Sequence, residues 1–264
     1  MKTFALAGAA ALAFVANPAF AQTALEEAES TDIPADWELS GNVGIYSDYR
    51  FRGISFTDQD AALQGGIDLA HSSGFYVGTW GSNLAGFGTF GGSNLEIDIY
   101  AGFGGEFGSV GVFDVGILWY TYPGTDVTDY LEVYGSVGAD IAGVETTIGV
   151  AYAPDQDSIG SDNLYLYGDA GIGIPNTPIS LSAHIGYTEG SLGFGGVGAS
   201  GTLFDDNYID YSIGAAVDLM GLELGISYIG TDISDGREID LGVGGGPAEF
   251  VADDTIVVSV GYSF

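Results

Sequence analysis

Apolar and polar positions alternate with a period of two from residue 37 almost to the end of the chain. That is the period of β-strands, whose side chains point to opposite faces in turn. Across 95–103, Leu95, Ile97, Ile99, Ala101 and Phe103 share one face while Glu96, Asp98 and Tyr100 share the other. The split recurs with Leu131, Val133 and Val137 against Glu132, Tyr134 and Asp140, and with Leu164, Leu166, Ala170 and Ile172 against Tyr165, Tyr167 and Asp169. It returns with Ile209, Tyr211, Ile213 and Val217 against Asp210, Ser212 and Asp218. The final run, 255–264, places Ile256, Val258, Val260, Tyr262 and Phe264 on one parity and stops on an aromatic residue.

The alternating runs come in a fixed rhythm of strand, tight turn, strand, longer polar loop. Strands are predicted over 37–48, 60–71, 75–82, 94–107, 110–122, 129–142, 144–153, 162–174, 179–188, 206–219, 222–231 and 255–264. Alternation alone does not separate a soluble sandwich, apolar face inward, from a membrane barrel, apolar face outward. A sandwich, however, has no reason to sort its connections strictly into short and long. The prediction is therefore an all-β fold, a transmembrane antiparallel up-and-down β-barrel of about 12 strands. Its tight turns would lie on the periplasmic side and its long loops outside, with the closing strand 255–264 pairing with 37–48 to remove every free edge. The terminal Phe264 is the expected contact for the barrel assembly machinery.

Residues 1–21 combine a basic start at Lys2, an apolar run from Phe4 to Ala16 and a small-residue ending, Ala19-Phe20-Ala21. This predicts a secretory signal peptide, the apolar run being too short to span a bilayer. Residues 22–36 are acidic and patternless and read as an N-terminal periplasmic tail, leaving 37–264 as the barrel, with the cell outer membrane as the expected location.

Composition sharpens this picture at two points. The 45 Gly, 16 Tyr and 15 Phe at 46% apolar content fit a packed β-protein, and the lack of Cys removes disulfide and thiol chemistry. The charge is extreme, with 36 Asp plus Glu against 4 Lys plus Arg, and Lys2 is the one lysine. Such a surface excludes nucleic acid as a partner and favours cations.

The stretch 40–83 carries Ser47-Asp48-Tyr49-Arg50-Phe51-Arg52-Gly53-Ile54-Ser55, then Gln64-Gly65-Gly66, Gly74-Phe75-Tyr76 and Trp80-Gly81-Ser82-Asn83. It resembles the start of the TorF-like porin family of Gram-negative bacteria. The resemblance implies an outer-membrane barrel with a porin-like role and adds no substrate.

With the apolar parity toward lipid, the opposite parity lines the lumen. It includes Asp68, Glu96, Asp98, Asp114, Glu132, Asp140, Asp169, Asp210 and Asp218, with Glu145 and Glu223. Tyr76, Trp80, Tyr100, Tyr120, Tyr130, Tyr134, Tyr165, Tyr167 and His184 join them. Rings of carboxylates are a cation-selective device, and a solvated wall without selectivity is the plainer reading. Arg50 and Arg52, two apart at the end of the first strand, share a face if that strand continues. They are either a pore constriction or salt-bridge partners of loop acids such as Asp48, Asp58 or Asp60. Arg237 reads as a surface pair. Asp155-Gln-Asp157 begins like a calcium loop, but Ile159 and Leu166 occupy ligand positions, so no metal site is assigned. Neither a phosphate loop nor a nucleophile elbow is present, and His71 and His184 have no local catalytic signature. No cofactor is expected. The function expected is passive diffusion of small solutes, cation-preferring. A closed structural or adhesion barrel acting through its acidic loops is the alternative, and an outer-membrane enzyme comes last. Outer-membrane lipid and lipopolysaccharide are the expected surroundings.

Overall fold

A computed structural model describes residues 34–86, 92–109, 111–126, 128–190, 207–233 and 251–264. The signal-peptide assignment, nearly all of the acidic tail, Arg237 and most of the longest loop lie outside the described residues.

Strand β1 (Trp37–Tyr46) is followed by a miniature pair, β2 (Arg50–Phe51) and β3 (Ile54–Ser55), then by β4 (Ala62–His71) and β5 (Phe75–Asn83). Next come β6 (Leu95–Phe107), β7 (Gly111–Thr121), β8 (Tyr130–Ile141), β9 (Val144–Ala153) and β10 (Asn163–Gly173). The chain ends with β11 (Ile179–Gly190), β12 (Asn207–Leu219), β13 (Leu222–Thr231) and β14 (Thr255–Ser263). Every strand except β2 and β3 belongs to one closed antiparallel barrel of twelve, each paired with its sequence neighbours. β14 closes it against β1 with Tyr46 opposite Ser259 and Asn42 opposite Ser263. Among the described residues no helix is long and apolar enough to cross a membrane.

The register carries the alternation around the whole ring, because residues opposite one another in a sheet share a face. Asp98 faces Trp80 on one side and Tyr120 on the other, and Tyr120 faces Tyr130, all on the inner wall. The apolar parity points outward, leaving Ile148, Ile213 and Leu63 exposed at 67%, 63% and 59%. Residues like these cover the outside on every strand of the barrel. In water such a surface would be very unfavourable, whereas it matches bilayer hydrocarbon, and the closed ladder leaves no backbone edge unpaired there. Aromatic side chains gather at the short-turn end, where Phe75 and Phe103 lie 4.9 Å apart, Phe103 and Phe113 5.9 Å, and Tyr262 and Phe264 6.4 Å. At the long-loop end Tyr152 donates to Asp162 (3.0 Å), and Tyr211 (2.9 Å) and Tyr228 both donate to Asp254. The two aromatic zones have the placement of interfacial girdles.

Glycine and tyrosine are coupled on the inner wall. A Cβ at Gly149 would overlap the Tyr167 ring, and one at Gly186 the Tyr165 ring, so each phenol lies flat on bare backbone of the next strand. Tyr76, Tyr100 and Tyr134 use glycines in the same way.

The terminal Phe264 exchanges backbone hydrogen bonds with Gly41 (2.9 Å each way), and its ring covers that glycine, where a Cβ would meet Phe264 Cζ at 2.7 Å. The end of the chain therefore seals the seam between first and last strands.

Candidate pore constriction

The first strand ends at Tyr46, two residues short of the expectation, because the chain turns inward at Ser47. The loop 47–61 folds into the barrel rather than out of it. Arg50–Phe51 and Ile54–Ser55 pair as a hairpin whose two-residue turn is Arg52-Gly53. Both turn residues have positive φ, 48° and 83°, as tight hairpins of this length require. Gly53 is needed for a second reason: a Cβ there would come within 2.5 Å of Thr231 Cγ2 on β13 and 3.0 Å of Asp210 Cβ on β12. The hairpin thus lies inside the barrel against β12 and β13 at the long-loop end.

Arg50 and Arg52 do not share a role. Arg50 is buried at the hairpin's base, where Nε donates to Asp48 (2.5 Å) and Nη1 to the carbonyls of Gly53, Val251 and Asp253 (3.0, 2.8 and 3.0 Å). Asp48 in turn accepts from the Ser55 and Thr57 hydroxyls (2.6 and 3.0 Å). Arg52 pairs with a carboxylate of the wall and not of the loop, because the turn projects it across the lumen. Its Nη2 donates to Glu132 on β8 at 2.7 Å and its Nη1 to Asn163 Oδ1 on β10 at 2.8 Å. The guanidinium lies 4.1 Å from the ring centroid of Tyr165 and 4.8 Å from that of Phe51. Tyr208 on β12 donates to the Arg52 carbonyl (3.0 Å), and Tyr120 donates to the other oxygen of Glu132 (2.8 Å). Burial alone would lower the Arg52 pKa, but Glu132, with Tyr120, Tyr130 and Tyr165, carries it above its ordinary value. Tyr49, whose hydroxyl donates to Glu96 on β6 (2.6 Å), is pushed well up by burial, with Glu96 and Asp98 adding to it.

The sequence-predicted lumen residues fall into four sets. Glu96, Asp98 and Glu132 come together beneath the hairpin and are buried. Asp98 is 1% exposed and neither of its carboxylate oxygens has a hydrogen-bond partner. In the middle of the barrel, Asp68 accepts from Tyr100 (2.5 Å) and Asp114 from Tyr76 (2.7 Å). On the facing wall His184 lies between Asp169 (2.7 Å) and Asp210 (3.0 Å), with the Tyr165 hydroxyl 2.8 Å away. Each ring nitrogen thus lies within hydrogen-bond distance of a carboxylate. Asp140 and Asp218 stand at the short-turn mouth, opposite Glu145 and Glu223 across their strand pairs. They do not join the groups above. Among the described residues no set of three or more His, Asp or Glu is placed to hold a metal ion.

Sequence reading places the wall residues by parity, Tyr165 among them, but misses Asn163, Tyr208 and the inward fold of the hairpin. The available signal was Arg52-Gly53, a two-residue turn between Arg50-Phe51 and Ile54-Ser55, which reads as a hairpin once loop and strand are not fused.

The fold is that of known porins. The chain is similar to a KdgM porin structure at 10% identity and a TM-score of 0.55, over 85% of this chain and 99% of that one. It is likewise similar to a KdgM porin in complex with disordered oligogalacturonate, at 9% identity and a TM-score of 0.53, over 86% and 98% of the two chains. No curated protein sequence matches. A family model matches residues 29–264, and the chain belongs to that family, described as bacterial proteins of unknown function (Gcw_chp).

Proposed function

We propose that the protein is an outer-membrane channel for passive diffusion of small solutes, preferring cations, with the Arg52 hairpin as its constriction. The observation that carries this is one closed barrel with an apolar outside and a wall of carboxylates inside. Against Asp68, Glu96, Asp98, Asp114, Glu132, Asp140, Asp169, Asp210 and Asp218, the inner side offers, among the described residues, Arg50 and Arg52 with His184. Fixed negative charge lowers the free energy of a cation in the lumen and raises that of an anion. The same charge disfavours a polyanion such as the oligogalacturonate in the KdgM complex, so the likeness of fold is not extended to that solute. The resemblance to TorF-like porins agrees with this proposal. Outer-membrane lipid, lipopolysaccharide and the assembly machinery acting on Phe264 are the partners it implies.

A closed barrel working through its surface loops is the second reading, and the hairpin filling the long-loop end favours it. Planar-bilayer recordings separate the two. The channel reading predicts conductance with a reversal potential on the cation side in a salt gradient. It also predicts a smaller cation-to-anion ratio when Glu96, Asp98 and Glu132 are together changed to Gln, Asn and Gln. Anion preference in the unchanged protein would end the carboxylate account.

A further inference from the structure

The wall cage that receives Arg52 has the composition of a binding site rather than of a packing contact. It offers a buried carboxylate (Glu132), an amide oxygen (Asn163 Oδ1) and an aromatic face (Tyr165) to one planar cation. Carboxylate, carbonyl and π-face are three elements that recognise a guanidinium. All three come from β8 and β10, the rigid wall, whereas the cation comes from a two-residue turn on a separate small hairpin.

The fit between tip and cage is incomplete in two respects. Arg52 Nε is buried without a hydrogen-bond partner. Beside the cage, Asp98 is buried with both oxygens unpartnered. The tip also holds a non-glycine residue at φ 48°, a conformation with a steric cost that the cage contacts offset. A cation that brings its own hydrogen-bond geometry need not accept these compromises.

We propose that the Glu132–Asn163–Tyr165 cage is a solute site for guanidinium-bearing cations and that Arg52 is a tethered competitor for it. Occupation of the cage by a solute frees the hairpin tip, so the constriction relaxes as its own solute arrives. A tethered side chain presents itself at an effective concentration on the order of millimolar, so competing solutes act in that range. This inference rests on the channel reading for its purpose but not for its test.

The test is calorimetric titration of the full chain in detergent micelles with ethylguanidinium, and with tetramethylammonium as a cation lacking N–H donors. Ethylguanidinium is expected to bind Arg52→Ala at least tenfold more tightly than the unchanged protein. Adding Glu132→Gln should remove at least tenfold of that affinity, and tetramethylammonium should bind neither. If Arg52→Ala does not give the heat-modifiable folded barrel, Arg52→Lys, which loses the planar fork, is titrated in its place with the same expectation. Equal weak binding by the unchanged protein, the Arg52 variant and the double variant overturns the site. Binding to the Arg52 variant by a protein that never conducts would leave the site standing and end the channel reading. Conductance without such binding does the reverse.

Discussion

Removing the Arg52 guanidinium should open the long-loop end of the barrel. The side chain joins the hairpin to the wall through a 2.7 Å ion pair, a 2.8 Å hydrogen bond and a ring contact, all in a buried setting. Arg52→Ala leaves Glu132 buried without its counter-ion, and breaking a buried pair in this way costs about 3–5 kcal/mol. At about 1.4 kcal/mol per factor of ten, the docked state should lose roughly two to three and a half decades of its advantage. The chain contains no cysteine, so a single introduced thiol reports the change without background. Thr231 is suitable because it is 8% exposed and lies directly under the hairpin tip at Gly53. The Thr231→Cys thiol should react with a charged methanethiosulfonate at least a hundredfold faster when Arg52→Ala is also present. Adding Glu132→Gln removes the stranded charge and should recover at least tenfold of the protection. A rate unchanged by Arg52→Ala, or equal rates with and without Glu132→Gln, would refute the reasoning, because the ion pair would then not hold the hairpin down.

Two further outcomes follow from the barrel itself. Gly149→Ala places a methyl where the Tyr167 ring lies and should destabilise the barrel by about 1–3 kcal/mol, read as a lower midpoint of heat-modifiable gel migration. Gly168→Ala is the control: its Cβ meets nothing closer than the Thr147 carbonyl at 3.8 Å, so its midpoint should stay near that of the unchanged protein. Deleting Phe264 removes the ring over Gly41 and the paired backbone contacts that seal β14 to β1. It should reduce the yield of assembled barrel in membranes more than it alters the permeability ratio of the barrels that do assemble, and the opposite ranking would contradict a sealing role.

The barrel was legible in the sequence because each of its constraints is local. Alternation at Glu96, Asp98 and Tyr100 fixes which side chains face inward, and strictly alternating short and long connections fix the up-and-down order. The terminal Phe264 marks the strand that closes the ring. The constriction was not legible in the same way. Whether 47–61 folds in or out depends on contacts separated by as many as 203 residues, from Arg50 to Asp253, and no periodicity records them. Scarcity of basic residues drew attention to Arg50 and Arg52, but treating them as one strand face assigned both to one function. The turn at Arg52-Gly53 separates them, so that Arg50 anchors the base of the hairpin and Arg52 reaches the far wall. The Tyr165 cage was hidden for the same reason: parity places Tyr165 on the inner wall without saying what it faces.

The central claim is that the protein conducts and that the hairpin is what limits its conductance. Single-channel recording of the unchanged protein beside a variant in which 50–55 is replaced by a short Gly-Ser link tests it directly. The account predicts small, cation-preferring conductance in the first and a severalfold larger conductance, still cation-preferring, in the second. Silence from both, with each shown to be a folded barrel, would contradict it.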